Sequence, residues 1–326
     1  MMPPFFKGMT FGWGAKRGDY RTQEALDSML QLKQTGSEWI ALSFWTWQDT
    51  ISSTEITFDY GYTVTDRDLA VAVSNAKANG LKVCLKPVVN SRDNIWRAHI
   101  GFPDEASAEP YWEKWFASYR NFILHYAELA QELQCEMLCI GCEMVKTEYR
   151  EADWRSLIAV IRQHYNGIIV YNANHGSESK IPWLDAVDLI GTSAYYPVGQ
   201  IPGASVAMMQ EEWEKVKEQL KILYNRFHKP IVFIEIGCRS AHGCAMMPWD
   251  FNHDELPFDE IEQANFYESA LKTFWNEPWF SGFFWWDWST KLYPLEQAKE
   301  HCGFDIYGKH AAEVLTTWYH RERNYR

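Results

Sequence analysis

The sequence predicts an α/β fold, a (β/α)8 TIM barrel that forms a single domain over residues 1–326. Short apolar runs of strand length alternate with stretches of helical periodicity, which is the pattern of a parallel α/β protein. The chain also has the length of one barrel, which typically takes about 250 residues plus insertions. In addition, two apolar runs end in glutamates, and the interval from Glu143 to Glu235 fits three strand-to-strand steps of roughly 30 residues each.

Eight strands are predicted from the apolar runs, because turn-forming or polar residues bound each run. The predicted strands are Phe5–Met9, Trp39–Phe44, Leu81–Val88, Met137–Met144, Ile168–Tyr171, Val187–Ser193, Ile231–Ile234 and Phe280–Trp286. Two long connections stand out, Val89–Ala108 after the third strand and Ile236–Asp259 after the seventh. Loops of this length inside a compact domain usually have a function.

The helices are predicted from apolar residues that recur at helical spacing. Thr65 and Asp66 begin one helix, which ends at Asn79 and Gly80, and Pro110 suits the first turn of the most regular one. The predicted helices cover residues 24–33, 66–79, 110–133, 153–161, 213–227, 263–275 and 311–319. Strands and helices therefore alternate along nearly the whole chain.

The composition excludes some classes of partner. A formal net charge of −12 argues against nucleic acid and against anionic membrane surfaces, which need a basic footprint. No apolar run approaches the length of a membrane span. The 17 tryptophans, 17 tyrosines and 18 phenylalanines suit a cleft that holds flat apolar faces, and a neutral polymer is compatible with the negative charge. The composition does not indicate an oligomeric state.

The cysteines and the N-terminus indicate a location. Seven cysteines, an odd number, lie mostly in or beside apolar runs, as free thiols do in a reducing compartment. Residues 1–13 lack the layout of a signal peptide, although a sequence from which a leader had been removed would look the same. We therefore expect a cytoplasmic protein.

The two strand-end glutamates predict the chemistry. Because Glu143 and Glu235 end the fourth and seventh strands, they lie on the face where barrel active sites are built. A pair of carboxyl groups there suits the cleavage of a glycosidic bond, in which one acid protonates the leaving oxygen while a carboxylate attacks the anomeric carbon. A separation of about 5 Å would give retention of configuration. We expect neither a cofactor nor a metal ion.

Two aromatic pairs follow other strands. Tyr195 and Tyr196 end the sixth strand, and a tyrosine hydroxyl there would hydrogen-bond the nucleophile and help to keep it ionised. Trp285 and Trp286 end the eighth strand, where an indole would form the floor beneath a sugar ring. Because side chains alternate along a strand, only one tryptophan points inward. We predict that Tyr196, as a catalytic residue, and Trp286 face the site.

Further substrate-binding residues are predicted at the remaining strand ends. Lys86 and Asn90 end or follow the third strand, and Asn172 and Asn174 follow the fifth, so that their polar groups would meet sugar hydroxyls. Trp13 follows the first strand and would extend the cleft. The substrate-binding set is Trp13, Lys86, Asn90, Asn172, Asn174, Tyr195, Trp285 and Trp286.

These residues resemble a known group of enzymes. Glu143, Glu235, the two tyrosines and the tryptophan pair look like the clan of retaining (β/α)8-barrel glycoside hydrolases. Within it, Leu-Lys-Pro at 85–87, Ser-Ala-Tyr-Tyr-Pro at 193–197 and Glu-Ile-Gly at 235–237 resemble glycoside hydrolase family 113, the β-mannanases.

The resemblance implies roles for both glutamates. It makes Glu143 the acid/base and Glu235 the nucleophile of a double displacement on β-1,4-linked mannan or manno-oligosaccharides. One position departs from the clan, because Cys142 stands where an Asn usually precedes the acid/base. That Asn commonly contacts the sugar 2-hydroxyl, so the contact has no assigned residue here.

Several alternatives stay open. Another β-1,4 glycan, glucan or xylan, would suit the same glutamates, and a non-catalytic carbohydrate-binding barrel would keep the tryptophans. Cys135, Cys139 and Cys142 have the C-x3-C-x2-C spacing of radical S-adenosylmethionine enzymes, whose iron–sulfur clusters take thiolate ligands. A last alternative is a zinc site, for which the candidate ligands in the long loop after the seventh strand are Cys238, His242, Cys244 and His253.

Overall fold

The computed structural model describes residues 5–251 and 256–323. Eight parallel strands pair in chain order, and β8 closes on β1 through Phe6 opposite Gly282, which makes a closed barrel. The strands are β1 Phe6–Phe11, β2 Trp39–Gln48, β3 Lys82–Ser91, β4 Met137–Cys142, β5 Ile168–Asn174, β6 Leu189–Ser193, β7 Ile231–Ile236 and β8 Phe280–Trp288. The predicted barrel is confirmed.

Seven α-helices surround the described part of the barrel. They are α1 Gln23–Gln34, α2 Asp66–Ala78, α3 Glu109–Glu132, α4 Glu151–His164, α5 Val206–Phe227, α6 Glu260–Phe274 and α7 His310–Tyr319. Two short 3-10 helices, Glu178–Lys180 and Leu184–Ala186, connect β5 to β6 in place of an α-helix. The α2 helix begins after Thr65, as its sequence predicts, and Thr65 and Asp68 form a capping box there.

Most strands run further toward their C-terminal ends than the sequence indicates, whereas β4 ends at Cys142, before the predicted Met144, because Glu143 leaves the extended conformation. The predicted β2 ends at Phe44 and the predicted β5 at Tyr171, yet the strands continue to Gln48 and Asn174. All the added residues except Ala173 are polar or aromatic, and Trp45, Trp47 and Asn174 line the mouth of the barrel. An apolar-run criterion therefore stops before the strand does.

The core has two layers. Inside the barrel, alternate residues of all eight strands form one apolar cluster, which includes Phe6, Val170 and Phe284. A larger cluster packs the outward strand residues against the helices. Among the described residues no helix is long and apolar enough to cross a lipid bilayer.

Candidate active site

A cleft of about 1180 Å³ opens at the C-terminal ends of the strands. Both glutamates line it, together with aromatic side chains from β1, β2, β8 and the long loops. The lining comprises Trp13, Trp45, Trp47, Asn90, Ser91, Asn94, Ile95, Trp96, Arg97, Glu143, Asn174, His175, Tyr195, Glu235, Trp249, Phe251, Trp286, Asp287, Phe304 and Asp305. Its position is the one where barrel enzymes bind substrate.

An irregularity in β7 aims Glu235 into the cleft. Ile234 belongs to the cluster inside the barrel and Ile236 to the outer layer, although residues two apart on a regular strand share a face. The pairing of β7 with β8 shifts between Phe233 and Ile236, which is how a bulge redirects a side chain. Gly237 then passes close to β8, where a Cβ atom would lie 2.4 Å from the carbonyl oxygen of Trp286.

Four side chains donate hydrogen bonds to the Glu235 carboxylate, which is only 4% exposed. Lys86 Nζ makes a short contact with Oε1, and Oε1 also accepts from Asn172 Nδ2 at 3.0 Å and from Cys142 Sγ at 3.4 Å. Tyr195 donates its hydroxyl to Oε2 at 3.2 Å. Three donors therefore hold Oε1, while Oε2 has one.

The charges around Glu235 keep it ionised. Burial alone would raise the pKa of this carboxyl, but Lys86 and Arg97 outweigh burial and hold the pKa below its ordinary value. Burial alone would lower the pKa of Lys86. The nearby Glu235 carboxylate raises that pKa by more than burial lowers it, so Lys86 stays charged. Burial raises the pKa of the Cys142 thiol, which therefore keeps its proton and donates it. An ionised carboxylate in a buried site is a suitable nucleophile.

Glu143 follows β4 immediately and has a left-handed backbone conformation with φ of +53°. Such a conformation is strained for a residue with a side chain and tends to occur at functional sites. Trp96 Nε1 donates to Glu143 Oε2 at 3.2 Å, and Arg97 Nη2 lies 3.3 Å from the same oxygen. Oε1 of Glu143 is therefore the oxygen that these two donors leave free.

Four tryptophans form one wall of the cleft. Trp286 packs on Trp13 with ring centroids 4.5 Å apart, Trp13 on Trp45 at 4.7 Å, and Trp45 on Trp47 at 5.6 Å. Lys86 Nζ lies 5.7 Å from the centroid of Trp286, so the wall begins beside the nucleophile.

A pair of carboxyl groups adds polarity near Trp286. Asp287 and Asp305 both line the cleft, and Lys309 lies behind them. Burial raises the pKa of Asp287, and the neighbouring Asp305 raises it further, so this pair holds a proton more readily than ordinary aspartates do. Burial lowers the pKa of Lys309 to about 8. The pair can both donate to and accept from sugar hydroxyls.

Most of the predicted site residues meet in this cleft. Trp13, Asn90, Asn174, Tyr195 and Trp286 line it together with the two glutamates. The cleft also contains residues that sequence reasoning missed. Trp96 and Arg97 come from the connection between β3 and α3, whose length was the one signal that pointed to them.

Two of the predicted substrate-binding residues have a different position. Lys86 and Asn172 are fully buried beneath the cleft, where they bond Glu235 instead of lining the surface that a sugar would contact. Asn172 also donates to Cys142 Sγ at 3.2 Å. Cys142 therefore belongs to the group that holds the nucleophile, which gives the departure from the clan a structural role.

Two predicted residues point away from the site. The Tyr196 hydroxyl donates to Glu178 at 2.5 Å, so the prediction that it contacts the nucleophile is wrong, and Tyr195 makes that contact. Trp285 is fully buried and stacks on Tyr267 of α6 at 3.8 Å, so it is a core residue and not a substrate contact. Alternation along β8 separates the two tryptophans, whereas a turn of the chain beyond β6 separates the two tyrosines.

The cysteine alternatives find no support among the described residues. Cys139 Sγ donates to the Gly141 carbonyl and Cys142 Sγ to Glu235, and these thiols do not converge with Cys135 on a metal position. Burial raises the pKa of all three cysteines, which disfavours the thiolates that a cluster requires.

The proposed zinc ligands do not meet either in the part of the chain that the structure describes. Cys238 and Cys244 contact each other at 3.2 Å, while His242 pairs with Asp259 at 2.9 Å. His253 lies outside the described residues. The group of possible metal ligands is instead His242, Asp259 and Glu262, but two backbone N–H groups already donate to the nearer Glu262 oxygen.

Comparison with known families identifies the group to which the protein belongs. The family described as Glycoside Hydrolase Family 113 matches residues 9–309. The chain belongs to glycoside hydrolase family 113. A family 113 β-1,4-mannanase is 37% identical, with a TM-score of 0.90 over 98% of this chain and 100% of that one. The family 113 β-mannanase AaManA from Alicyclobacillus acidocaldarius, in complex with ManMIm, is 39% identical, with a TM-score of 0.89 over 97% of both chains.

More distant structures share the fold alone. A Faecalibacterium prausnitzii β-glucuronidase is 16% identical, with a TM-score of 0.65 over 98% of this chain and 49% of that one. A search of curated proteins returned no match. As a member of family 113, the protein is a glycoside hydrolase.

Proposed function

We propose that this family 113 enzyme is a retaining β-1,4-mannanase, with Glu235 as the nucleophile and Glu143 as the acid/base. The observation that supports these roles best is that the two carboxylate oxygens of Glu235 accept different numbers of hydrogen bonds. Three donors hold Oε1, so the carboxylate stays ionised and oriented, while among the described residues Tyr195 is the donor to Oε2. Oε2 is therefore the oxygen that attacks.

The first half of the reaction forms a covalent intermediate. Glu235 Oε2 bonds to the anomeric carbon as the glycosidic C–O bond breaks, and Glu143 gives its proton to the departing oxygen. Trp96 and Arg97 fix Oε2 of Glu143, which leaves Oε1 to carry that proton. As negative charge leaves Glu235 in this step, Tyr195 can weaken its hydrogen bond to Oε2 at little cost.

The second half releases the sugar. A water molecule attacks the anomeric carbon from the side that the leaving group vacated, and Glu143 takes its proton. The bond between Glu235 and the anomeric carbon breaks, so the carboxylate returns to its four donors. Two inversions at the same carbon give overall retention.

Two observations support mannan as the substrate. The similar family 113 structures are described as β-1,4-mannanase and β-mannanase, at 36–39% identity over nearly the whole chain. The cleft has the required surfaces, since Trp286 and Trp13 offer ring faces, and Asn90, Asn174 and Asp287 offer polar groups for hydroxyls.

Hydrolysis of manno-, cello- and xylo-oligosaccharides tests the proposal, with the anomer of the first product followed by NMR. We expect manno-oligosaccharides to be cleaved with initial release of the β-anomer. Initial release of the α-anomer would contradict the retaining mechanism. Activity on glucan or xylan alone would contradict the assignment of mannan.

A further inference from the structure

Two tyrosines stand on the surface beyond the cleft. Tyr60 is 81% exposed and Tyr62 is 53% exposed, in the loop between β2 and α2. The loop has a defined shape, because Asp59 Oδ1 accepts from the backbone nitrogens of Gly61 at 2.8 Å and Tyr62 at 3.2 Å. Large exposed aromatic side chains grouped in this way indicate an interaction surface.

A cation covers one face of each ring. The Arg17 guanidinium lies 4.2 Å from the centroid of Tyr60, and Lys16 Nζ lies 5.1 Å from that of Tyr62. Arg17 also donates to the Tyr60 carbonyl at 3.3 Å. The exposure of both rings leaves their other faces to solvent, and a cation behind an aromatic ring fixes its orientation.

The two tyrosines continue the tryptophan wall. Trp47, the last ring of that wall, forms a two-way backbone pair with Thr57, with N–O distances of 3.1 and 2.6 Å. Arg92 connects the same regions, since it lies 5.3 Å from the Trp47 centroid and donates to Asp59 at 2.8 Å. The loop of Tyr60 and Tyr62 is therefore attached to the outer end of the tryptophan wall, whose other end lies beside the nucleophile.

We infer that Tyr60 and Tyr62 form a distal binding site for further pyranose units of a long β-1,4-mannan chain whose reacting end lies at Trp286. This inference rests on the proposed function and adds a preference for polymer over short oligosaccharides. The occupant follows from continuity with the cleft, in which the same type of side chain lines the path of the sugar. Pyranose rings present apolar C–H faces to aromatic rings, so the sugar units would stack on the faces of Tyr60 and Tyr62 that the cations leave open.

The test compares substrates of different length. The variants are Tyr60→Ala, Tyr62→Ala and the double variant. Tyr111→Ala is the control, because Tyr111 is as exposed as Tyr62 and packs on Phe102 outside the cleft. We expect the ratio of kcat/KM on polymeric mannan to kcat/KM on mannotriose to fall roughly tenfold in the double variant. The fall should come from a higher KM for the polymer. Replacement of both tyrosines by Phe should restore the ratio, since stacking does not need the hydroxyl groups.

Each outcome decides the inference. A ratio equal to that of the wild type in the double variant would overturn it, and so would an equal loss on polymer and mannotriose. A change of oligomeric state in sedimentation, without an effect of substrate length, would make the tyrosines an interface between copies and would also overturn it. If the wild type cleaved mannotriose but none of the variants changed the ratio, the proposed function would be retained and the distal binding site would be rejected. If the wild type cleaved no mannan, both would be wrong.

Discussion

Replacement of Lys86 by methionine tests how the nucleophile is held. Lys86 and Glu235 form a buried ion pair, and both side chains are almost fully shielded from water. Breaking a buried pair by removing one partner costs about 3–5 kcal/mol, because the other charge is left uncompensated. Glu235 avoids this cost by taking up a proton, and a protonated carboxyl cannot attack the anomeric carbon. A cost of this size corresponds to a fall of roughly 10²- to 5 × 10³-fold in kcat/KM.

The sign of the pH dependence follows from the lowered pKa of Glu235. In the wild type, Glu235 is ionised at all pH values above this lowered pKa, so the acidic limb of the activity profile begins only where acid protonates Glu235. Without Lys86 the pKa of Glu235 rises, because burial is no longer opposed by the nearest cation. The acidic limb of kcat/KM in Lys86→Met should therefore move toward neutral pH, and the loss should shrink as the pH increases.

The assay is the pH profile of kcat/KM on manno-oligosaccharides. Lys82→Met is a matched control, because Lys82 lies on the same strand at its exposed N-terminal end, over Trp39. The control should keep the wild-type profile. If Lys86→Met retained kcat/KM within threefold and an unmoved acidic limb, Lys86 would not be what keeps the nucleophile ionised.

Three further predictions concern neighbouring residues. Tyr195→Phe should lower kcat about tenfold, whereas Tyr196→Phe should mainly lower the free energy of unfolding, by about 0.5–1.5 kcal/mol, because Glu178 loses one hydrogen bond and keeps the one from Thr192; equal kinetic effects would contradict the assignment. Trp286→Ala should raise KM, because Trp286 lines the cleft, whereas Trp285→Ala should mainly destabilise the fold, by about 3–5 kcal/mol as measured by urea unfolding. Glu143→Ala should abolish cleavage of natural linkages but spare aryl glycosides with acidic leaving groups, and azide should accelerate their turnover; equal losses on both substrates would contradict its role as acid/base.

Alternation along strands accounts for what the sequence predicted correctly. Lys86 and Asn90 lie an even number of residues apart on β3, as do Asn172 and Asn174 on β5, so each pair points into the barrel. The sequence did not reveal depth along the barrel axis, however. For this reason Lys86 and Asn172 were expected at the sugar, although they lie one layer below it and hold Glu235.

Irregular backbone accounts for most of the remainder. Glu235 faces the cleft because of a bulge, and the chain beyond β6 turns Tyr195 rather than Tyr196 toward the nucleophile. Neither feature has a signature in residue type. Trp96 and Arg97 reach Glu143 from a loop of irregular conformation, which hydrophobic periodicity does not describe.

The most direct test of the central claim is to trap the covalent intermediate. In a 2-deoxy-2-fluoro-mannosyl fluoride, the fluorine at C2 slows both steps, while the anomeric fluoride is a good leaving group that lets the first step proceed. The glycosyl-enzyme therefore accumulates, and peptide mass spectrometry locates the labelled residue. The predicted result is one label per chain, on the peptide that contains Glu235, and none in Glu235→Gln. A label on Glu143, or inactivation with no labelled carboxylate, would contradict the assignment of Glu235 as the nucleophile.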